Sequence, residues 1–290
     1  MDRPPNIVIL MSDQHSPRVL GSASDPVART PHLDRLAARG VRFATCYAGS
    51  PLCVPSRATF LTGQGCSAIG VWSNFCTMPS DVPTFAHALA AAGYDTVLCG
   101  RMHFRGPDQR HGFMQRIMGE VMGDVTGPND GRAVEILGHI PWASQGQGRS
   151  AVTIAGPGCT GFRAFDAAVT VAAVRSIRER AARPGAGDDR PFCLGLGWIS
   201  PQNPYIAPKP LFDYFYDRVR APAVPTRVRE AHHPAVRRWR DARGSDDVSP
   251  DQARTALAGY YGLVALIDEQ VGQIVAARDE TGQREQTAII

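Results

Sequence analysis

The chain has 290 residues, of which 43% are hydrophobic, 20% charged and 8% aromatic; that is an ordinary folded composition, and a chain of this length buries roughly 75% of its unfolded surface. Disordered, collagen-like and coiled-coil chains are excluded, and at about 150 residues per domain the length allows one large domain or two ordinary ones. The net charge of +4 is too mild to argue for nucleic acid without a basic stripe, and Lys209 is the sole lysine.

Nothing approaches the ~20 apolar residues of a membrane span, and the apolar run Ile7 to Met11 is too short for a signal peptide. The cysteines number seven, with no CxxC pair. This speaks against a disulfide framework or a zinc ribbon and for a reduced, cytoplasmic chain. Asn6 to Met11 reads as a buried strand, followed by Ser12-Asp13-Gln14-His15. Thr30-Pro31 opens a helix, with threonine as N-cap and Gly40 as its end. Val41 to Ala48 reads as a strand, Pro55 to Thr62 as a short helix, Pro83 to Ala92 as a helix stopped by Gly93, and Thr96 to Cys99 as the next strand. Between Arg105 and Gly161, glycine and proline recur too often for regular structure, which predicts long loops. Helical spacing resumes from Phe165 to Ala182. Pro184 to Asp189 is a turn, Pro191 to Ser200 a buried strand, and Pro201 to Pro250 an extended surface wrap. Gln252 to Ala277 is a long helix with Leu257, Tyr260, Tyr261, Val264, Ile267, Val271 and Ile274 on its buried side. Thr287 to Ile290 begins another strand. Strands alternating with helices predict an α/β protein with a largely parallel sheet.

The run Cys53-Val54-Pro55-Ser56-Arg57-Ala58-Thr59-Phe60-Leu61-Thr62-Gly63 carries the chemistry. An isolated cysteine before a Pro-Ser helix start is most often a buried structural residue. This run, however, resembles the type I sulfatase signature C-x-P-S-R-x-x-x-L-T-G at all seven fixed positions. The resemblance implies an alkaline-phosphatase-like α/β fold. It also implies oxidation of Cys53 to formylglycine by a formylglycine-generating or equivalent maturation enzyme. A hydrated aldehyde serves where serine would not: serine would remain a stable sulfate ester, whereas the second hydroxyl of a geminal diol expels the sulfate. Gly93-Tyr94-Asp95-Thr96-Val97-Leu98-Cys99-Gly100-Arg101-Met102-His103 looks like the second signature, G-Y-x-T-x-x-x-G-K-x-H, with Arg101 where the family has lysine. Guanidinium is a planar fork and ammonium a point donor, so the exchange is not neutral. By resemblance, Arg57, Arg101 and His103 join Cys53 as catalytic residues. Asp13 and Gln14 stand at the end of the first strand, where the family has an acidic pair and some members Asp-Gln; the resemblance implies hard-oxygen ligands, with modified Cys53, for Ca²⁺ or Mg²⁺.

His103 to Phe113 is similar to the H-F-x-G-P-D-Q-x-H-G-F segment of choline sulfatases and their close relatives. It suggests Asp108 as a carboxylate for a cationic substrate, although an exposed turn aspartate reads as readily. Trp72, Phe104 and Tyr205 are candidate cation–π partners. Gln202 stands where the family has a proton-donating histidine; it donates a hydrogen bond but is no general acid. The sequence stops at the strand that leads, in the family, to further metal ligands, so it is expected to be an N-terminal catalytic domain, residues 1–290, incomplete at its C-terminus. The expected reaction is hydrolysis of a small organic sulfate monoester, choline sulfate before a polysaccharide, with no nucleic acid or membrane partner and an oligomer left open. The alternatives are a phosphonate or phosphate ester hydrolase of the same superfamily and a truncated, inactive sulfatase-like chain.

Overall fold

The computed structural model describes residues 4–120, 148–182, 190–222, 232–244 and 247–290. Its strands are β1 (Asn6–Met11), β2 (Asp95–Gly100), β3 (Gln115–Met118), β4 (Ala155–Pro157), β5 (Phe192–Gly197), β6 (Tyr205–Ala207) and β7 (Thr287–Ile289). The α-helices are α1 (Pro31–Arg39), α2 (Cys53–Thr62), α3 (Cys66–Ile69), α4 (Phe85–Ala91), α5 (Ser150–Thr153), α6 (Gly161–Ala181), α7 (Lys209–Tyr216), α8 (Pro234–Arg243) and α9 (Pro250–Glu280).

Five strands form a sheet in the order β3-β2-β5-β1-β7, every pairing parallel, and β4 pairs with β6 in a second, two-stranded sheet. The α/β architecture expected from the sequence is present. Strand side chains alternate between faces, and both faces are covered. Val8, Val97, Cys99, Leu194 and Leu196 point to one face, where Phe165, Val169, Ala173 and Ile177 of α6 meet Ile267, Val271 and Ile274 of α9. Leu98 points the other way, onto Leu61 of α2 and Ala86 of α4, while Ile9 and Cys193 pack there with Tyr94. Continuous apolar strands are thus what a doubly covered parallel sheet requires.

Several expectations are corrected. Val41 to Ala48 is no strand: Val41, Phe43 and Tyr47 are 81, 76 and 87% exposed, and their segment finds no ladder partner among the described residues. Part of the loop expected between Arg105 and Gly161 is regular, forming β3, α5 and β4, while 121–147 lie outside the described residues. The expected surface wrap contains β6, α7 and α8. The turn expected at Pro184 to Asp189 also lies outside.

Thr30 does not cap α1 with its side chain. Its hydroxyl accepts from the Gly21 amide at 2.9 Å and donates to Asp34 Oδ1 at 3.1 Å. The cap comes from 235 residues away: Asp268 Oδ1, on α9, accepts from the amides of His32 at 3.1 Å and Leu33 at 2.8 Å. A carboxylate on exposed helix-end donors satisfies them and favours the dipole. Asp268→Ala is therefore expected to cost about 1–3 kcal/mol, read by urea unfolding, because two part-buried helix-end amides lose their acceptor. An unchanged midpoint would show that water replaces it.

The chain ends of the central strands place the site. β1 runs into Asp13 and β2 into Arg101, on either side of β5, where parallel α/β sheets gather ligands. Gly197, the last residue of β5, lets the tips close up: its carbonyl accepts from the Arg101 amide at 2.8 Å. Asp166 on α6 anchors the chain just beyond β5, accepting from the amides of Ile199 at 2.7 Å and Ser200 at 2.9 Å. Burial pushes its carboxyl up to about 6, against those bonds. No helix among the described residues is long and apolar enough to cross a membrane.

Candidate active site

Cys53 begins α2, with Leu52 extended before it and Gly63, at φ +66°, closing the helix. The signature's proline and arginine serve the fold as well as the motif: Pro55 sits in the first turn, where it forfeits no helical bond, and Arg57 turns inward, buried. The thiol lies half-buried, with Sγ 3.6 Å from Asp13 Oδ1. Burial pushes it up from its ordinary value and Asp13 adds to this, against the pull of Arg101 and Arg57. A thiol kept protonated in this way is a poor nucleophile as it stands.

Asp13 is the pivot of the cluster. Its Oδ2 accepts from Arg101 Nε at 2.9 Å and from Arg57 Nη2 at 3.2 Å. Burial works against its charge, but the two guanidiniums win and hold the carboxyl below its usual value. Arg57 Nη1 donates to the Arg101 carbonyl at 2.9 Å, fixing α2 to the end of β2. Arg101 is 1% exposed and its Nη1 is buried with no acceptor among the described residues. Two guanidiniums on one carboxylate, with a donor left over, leave a local excess of positive charge and an unfilled acceptor position. That is a receptor for an anion.

His103 comes two residues later in a left-handed conformation, φ +57°. Glu120 holds it there, its Oε1 accepting from the amides of His103 and Met102 and from Arg116 Nη2 at 3.0 Å. Burial, then the Arg101 charge, push the imidazole down to about 4, so it is neutral near pH 7. Its Nδ1 lies 3.1 Å from Arg101 Nη2 and accepts from it, which assigns the ring proton to Nε2. Gln14, also in this cluster, has a positive φ of +62°. Its carbonyl accepts from the Tyr260 hydroxyl at 2.9 Å, and its side-chain Nε2 donates to the Tyr205 hydroxyl at 3.1 Å. Positive φ in residues other than glycine concentrates where surrounding contacts over-determine it, as they do at both positions.

Cys53, Asp13, Gln14, Arg57, Arg101, His103 and Gln202 all line one cavity of about 1620 Å³. Asp108 is not brought to it. Its Oδ1 accepts from the amides of Arg110 and His111, both at 3.0 Å, and its Oδ2 lies 3.3 Å from His111 Nδ1, as in the turn reading of that residue. Phe104 is buried against His111 and Arg116, outside the cavity lining, as is the exposed Trp72; of the three aromatics only Tyr205 lines it. Glu120, Arg116 and Tyr260 carry no motif that signals a site role: Glu120 reaches His103 17 residues back, Tyr260 reaches Gln14 246 residues back, and Arg116 joins through Glu120.

For a divalent ion the donor set is thin. Asp13 Oδ2 is occupied by two guanidiniums, and among the described residues no group of three or more His, Cys, Asp or Glu could hold a metal. Asp13 Oδ1 and the Gln14 amide oxygen fall well short of the six to eight oxygens of Ca²⁺ or the octahedron of Mg²⁺, so these residues do not by themselves fit the ion.

The sulfatase family model matches residues 5–290. A choline-sulfatase of Rhizobium meliloti is 31% identical over 99% of this chain and 56% of its own length. Among solved structures, a phosphonate monoester hydrolase of Agrobacterium radiobacter aligns with a TM-score of 0.76 at 22% identity, covering 99% of this chain and 61% of the other. A phosphonate monoester hydrolase of Silicibacter pomeroyi aligns with a TM-score of 0.70 at 26% identity, over 98% of this chain and 61% of its own. The chain spans about half to three fifths of the length of these relatives. With the signature cysteine and arginines gathered at the strand ends, and the match running from β1 to β7, the chain belongs to the sulfatase family.

Proposed function

We propose that residues 1–290 form the nucleophile-bearing domain of a sulfuric ester hydrolase that cleaves a small organic sulfate monoester at the S–O bond. The observation that carries it is the unpartnered, buried Arg101 Nη1 beside Cys53 and two guanidiniums that share one carboxylate. A sulfate monoester carries one negative charge, and the cluster has one positive charge in excess.

Cys53 as formylglycine hydrate supplies one hydroxyl to attack sulfur and a second to expel sulfate afterwards. The surroundings suit two hydroxyls: Asp13 Oδ1 is an acceptor beside Sγ, and Arg101 is a donor within reach of it. Arg101 binds the sulfate oxygens and neutralises charge as it spreads during S–O cleavage. Arg57 fixes Asp13 and the Arg101 carbonyl, so the donors do not move when charge develops. His103, with Nε2 protonated, donates a further hydrogen bond to the sulfate. Gln202 orients the leaving oxygen, whose proton must come from solvent because an amide is no acid. Among the described residues, the groups that supply this stabilisation are the cations Arg57 and Arg101.

The likeness to the Silicibacter phosphonate monoester hydrolase supports a second reading, cleavage of a phosphonate or phosphate ester at the same site. Assays of 4-nitrophenyl sulfate and 4-nitrophenyl phenylphosphonate on one matured preparation separate the two. The expected result is a higher kcat/KM for the sulfate, abolished in Cys53→Ala. A preference for the phosphonate, or activity surviving Cys53→Ala, overturns the sulfatase reading.

A further inference from the structure

The cavity extends beyond the cluster around Asp13. Its lining also includes Arg149, which precedes α5, and Trp239 and Arg243 of α8. These two segments are tied together, the Arg149 amide donating to the Arg243 carbonyl at 3.0 Å. The Arg243 guanidinium lies 5.7 Å from the centre of the Trp239 ring, which is 43% exposed. Among the described residues, neither Arg149 nor Arg243 is paired with a carboxylate.

The charge of the whole cavity is lopsided. Arg57, Arg101, Arg149 and Arg243 line it, against Asp13 as the one acidic side chain among the described lining residues. Asp13 is already engaged by the first two. A cationic leaving group would meet two positive charges on this wall and no carboxylate among the described residues. Neither do the tyrosines offer it an open cage. Tyr205 and Tyr260 stand edge to face, centroids 5.7 Å apart, with their hydroxyls committed to the Asp13–Gln14 loop. Clefts lined by one sign of charge focus the field and concentrate the opposite charge.

Building on the sulfate-ester reading above, we propose that Arg149 and Arg243 form a second anion subsite. It selects sulfate esters whose leaving group bears its own anionic group, a carboxylate or second sulfate, on a flat frame that packs on Trp239. The sulfate is held by Arg101 and the second anion by the guanidinium pair, which present forked donors suited to carboxylate and sulfate oxygens.

The test is calorimetric titration of the Cys53→Ala chain with 4-sulfooxybenzoate, phenyl sulfate and choline sulfate at one ionic strength. The dianion is expected to bind at least tenfold more tightly than phenyl sulfate, with choline sulfate the weakest. Adding Arg149→Gln and Arg243→Gln, both exposed positions, is expected to shrink the dianion's advantage below threefold. In Arg243→Glu, choline sulfate is expected to gain on the dianion, a shift that misfolding does not mimic. Choline sulfate binding as tightly as the dianion, an advantage untouched by the double substitution, or no binding of any ester overturns the subsite. Turnover by the matured chain is scored separately. Turnover without dianion preference faults the subsite alone, whereas dianion-selective binding without turnover of any ester faults the hydrolase reading and leaves the subsite standing.

Discussion

Asp13→Asn is expected to cost about 3–5 kcal/mol of folding stability, the range for removing one partner of a buried ion pair. The substitution keeps the shape of the side chain and removes only its charge. Arg57 and Arg101, both buried, then lose the carboxylate that each contacts, at 3.2 and 2.9 Å. Two like charges remain side by side in a poorly solvated site. Urea unfolding at neutral pH measures the loss. The cause is checked by a double-mutant cycle with Arg101→Met, which removes one stranded charge and is expected to recover part of the deficit. A loss below about 1 kcal/mol, the ordinary size of a point substitution, would mean that water or a counter-ion already screens the pair.

Gly197→Ala is expected to damage stability and site together. A Cβ at Gly197 would overlap the Arg101 carbonyl oxygen and stand 2.6 Å from its carbonyl carbon and 3.0 Å from its nitrogen. These are backbone atoms of a strand end, so no rotamer change relieves the clash. The tips of β2 and β5 must part, which breaks the Arg101 amide bond to Gly197 and displaces the carbonyl that Arg57 grips at 2.9 Å. Overpacking in a filled core costs about 1–3 kcal/mol and sometimes more, and the backbone-to-backbone clash puts this case at about 3 kcal/mol or above. The accompanying readout is inorganic sulfate binding, which should fall at least tenfold if Arg101 shifts. Wild-type stability with wild-type sulfate affinity would contradict the close approach.

The parts of this molecule legible in the sequence are those written locally. The signature from Cys53 to Gly63 is linear because one short helix carries it, and its glycine is needed at φ +66°. β1 is readable as an apolar run between a Pro-Pro pair and a polar loop, and α9 from its periodic apolar face, of which Val264, Ile267, Val271 and Ile274 are fully buried. The features that escape depend on contacts distant in sequence. Apolar character across Val41 to Ala48 suggests a strand, but a strand needs a neighbour to bond to. Adjacency points to Thr30 as the cap of α1, whereas the acceptor is Asp268. Glu120 sets the backbone of His103 from 17 residues away, and Tyr260 that of Gln14 from 246. The cluster itself is mostly readable, because Asp13, Arg57, Arg101 and His103 each sit next to a strand or helix end with its own pattern. The geometry of Arg101 in place of lysine is not. Its fork spans Asp13 with Nε and His103 with Nη2, two bonds that a single ammonium on a flexible stem would have to share.

The proposed chemistry depends on residue 53 being more than a thiol, because burial and Asp13 keep Cys53 protonated. Tandem mass spectrometry of the tryptic peptide from Phe43 to Arg57 reads this directly, after expression beside an active formylglycine-generating enzyme. The expected result is an aldehyde or its hydrate at Cys53, with Cys46 in the same peptide left as a thiol. An unmodified Cys53, in cells where a control sulfatase is converted, would contradict the account.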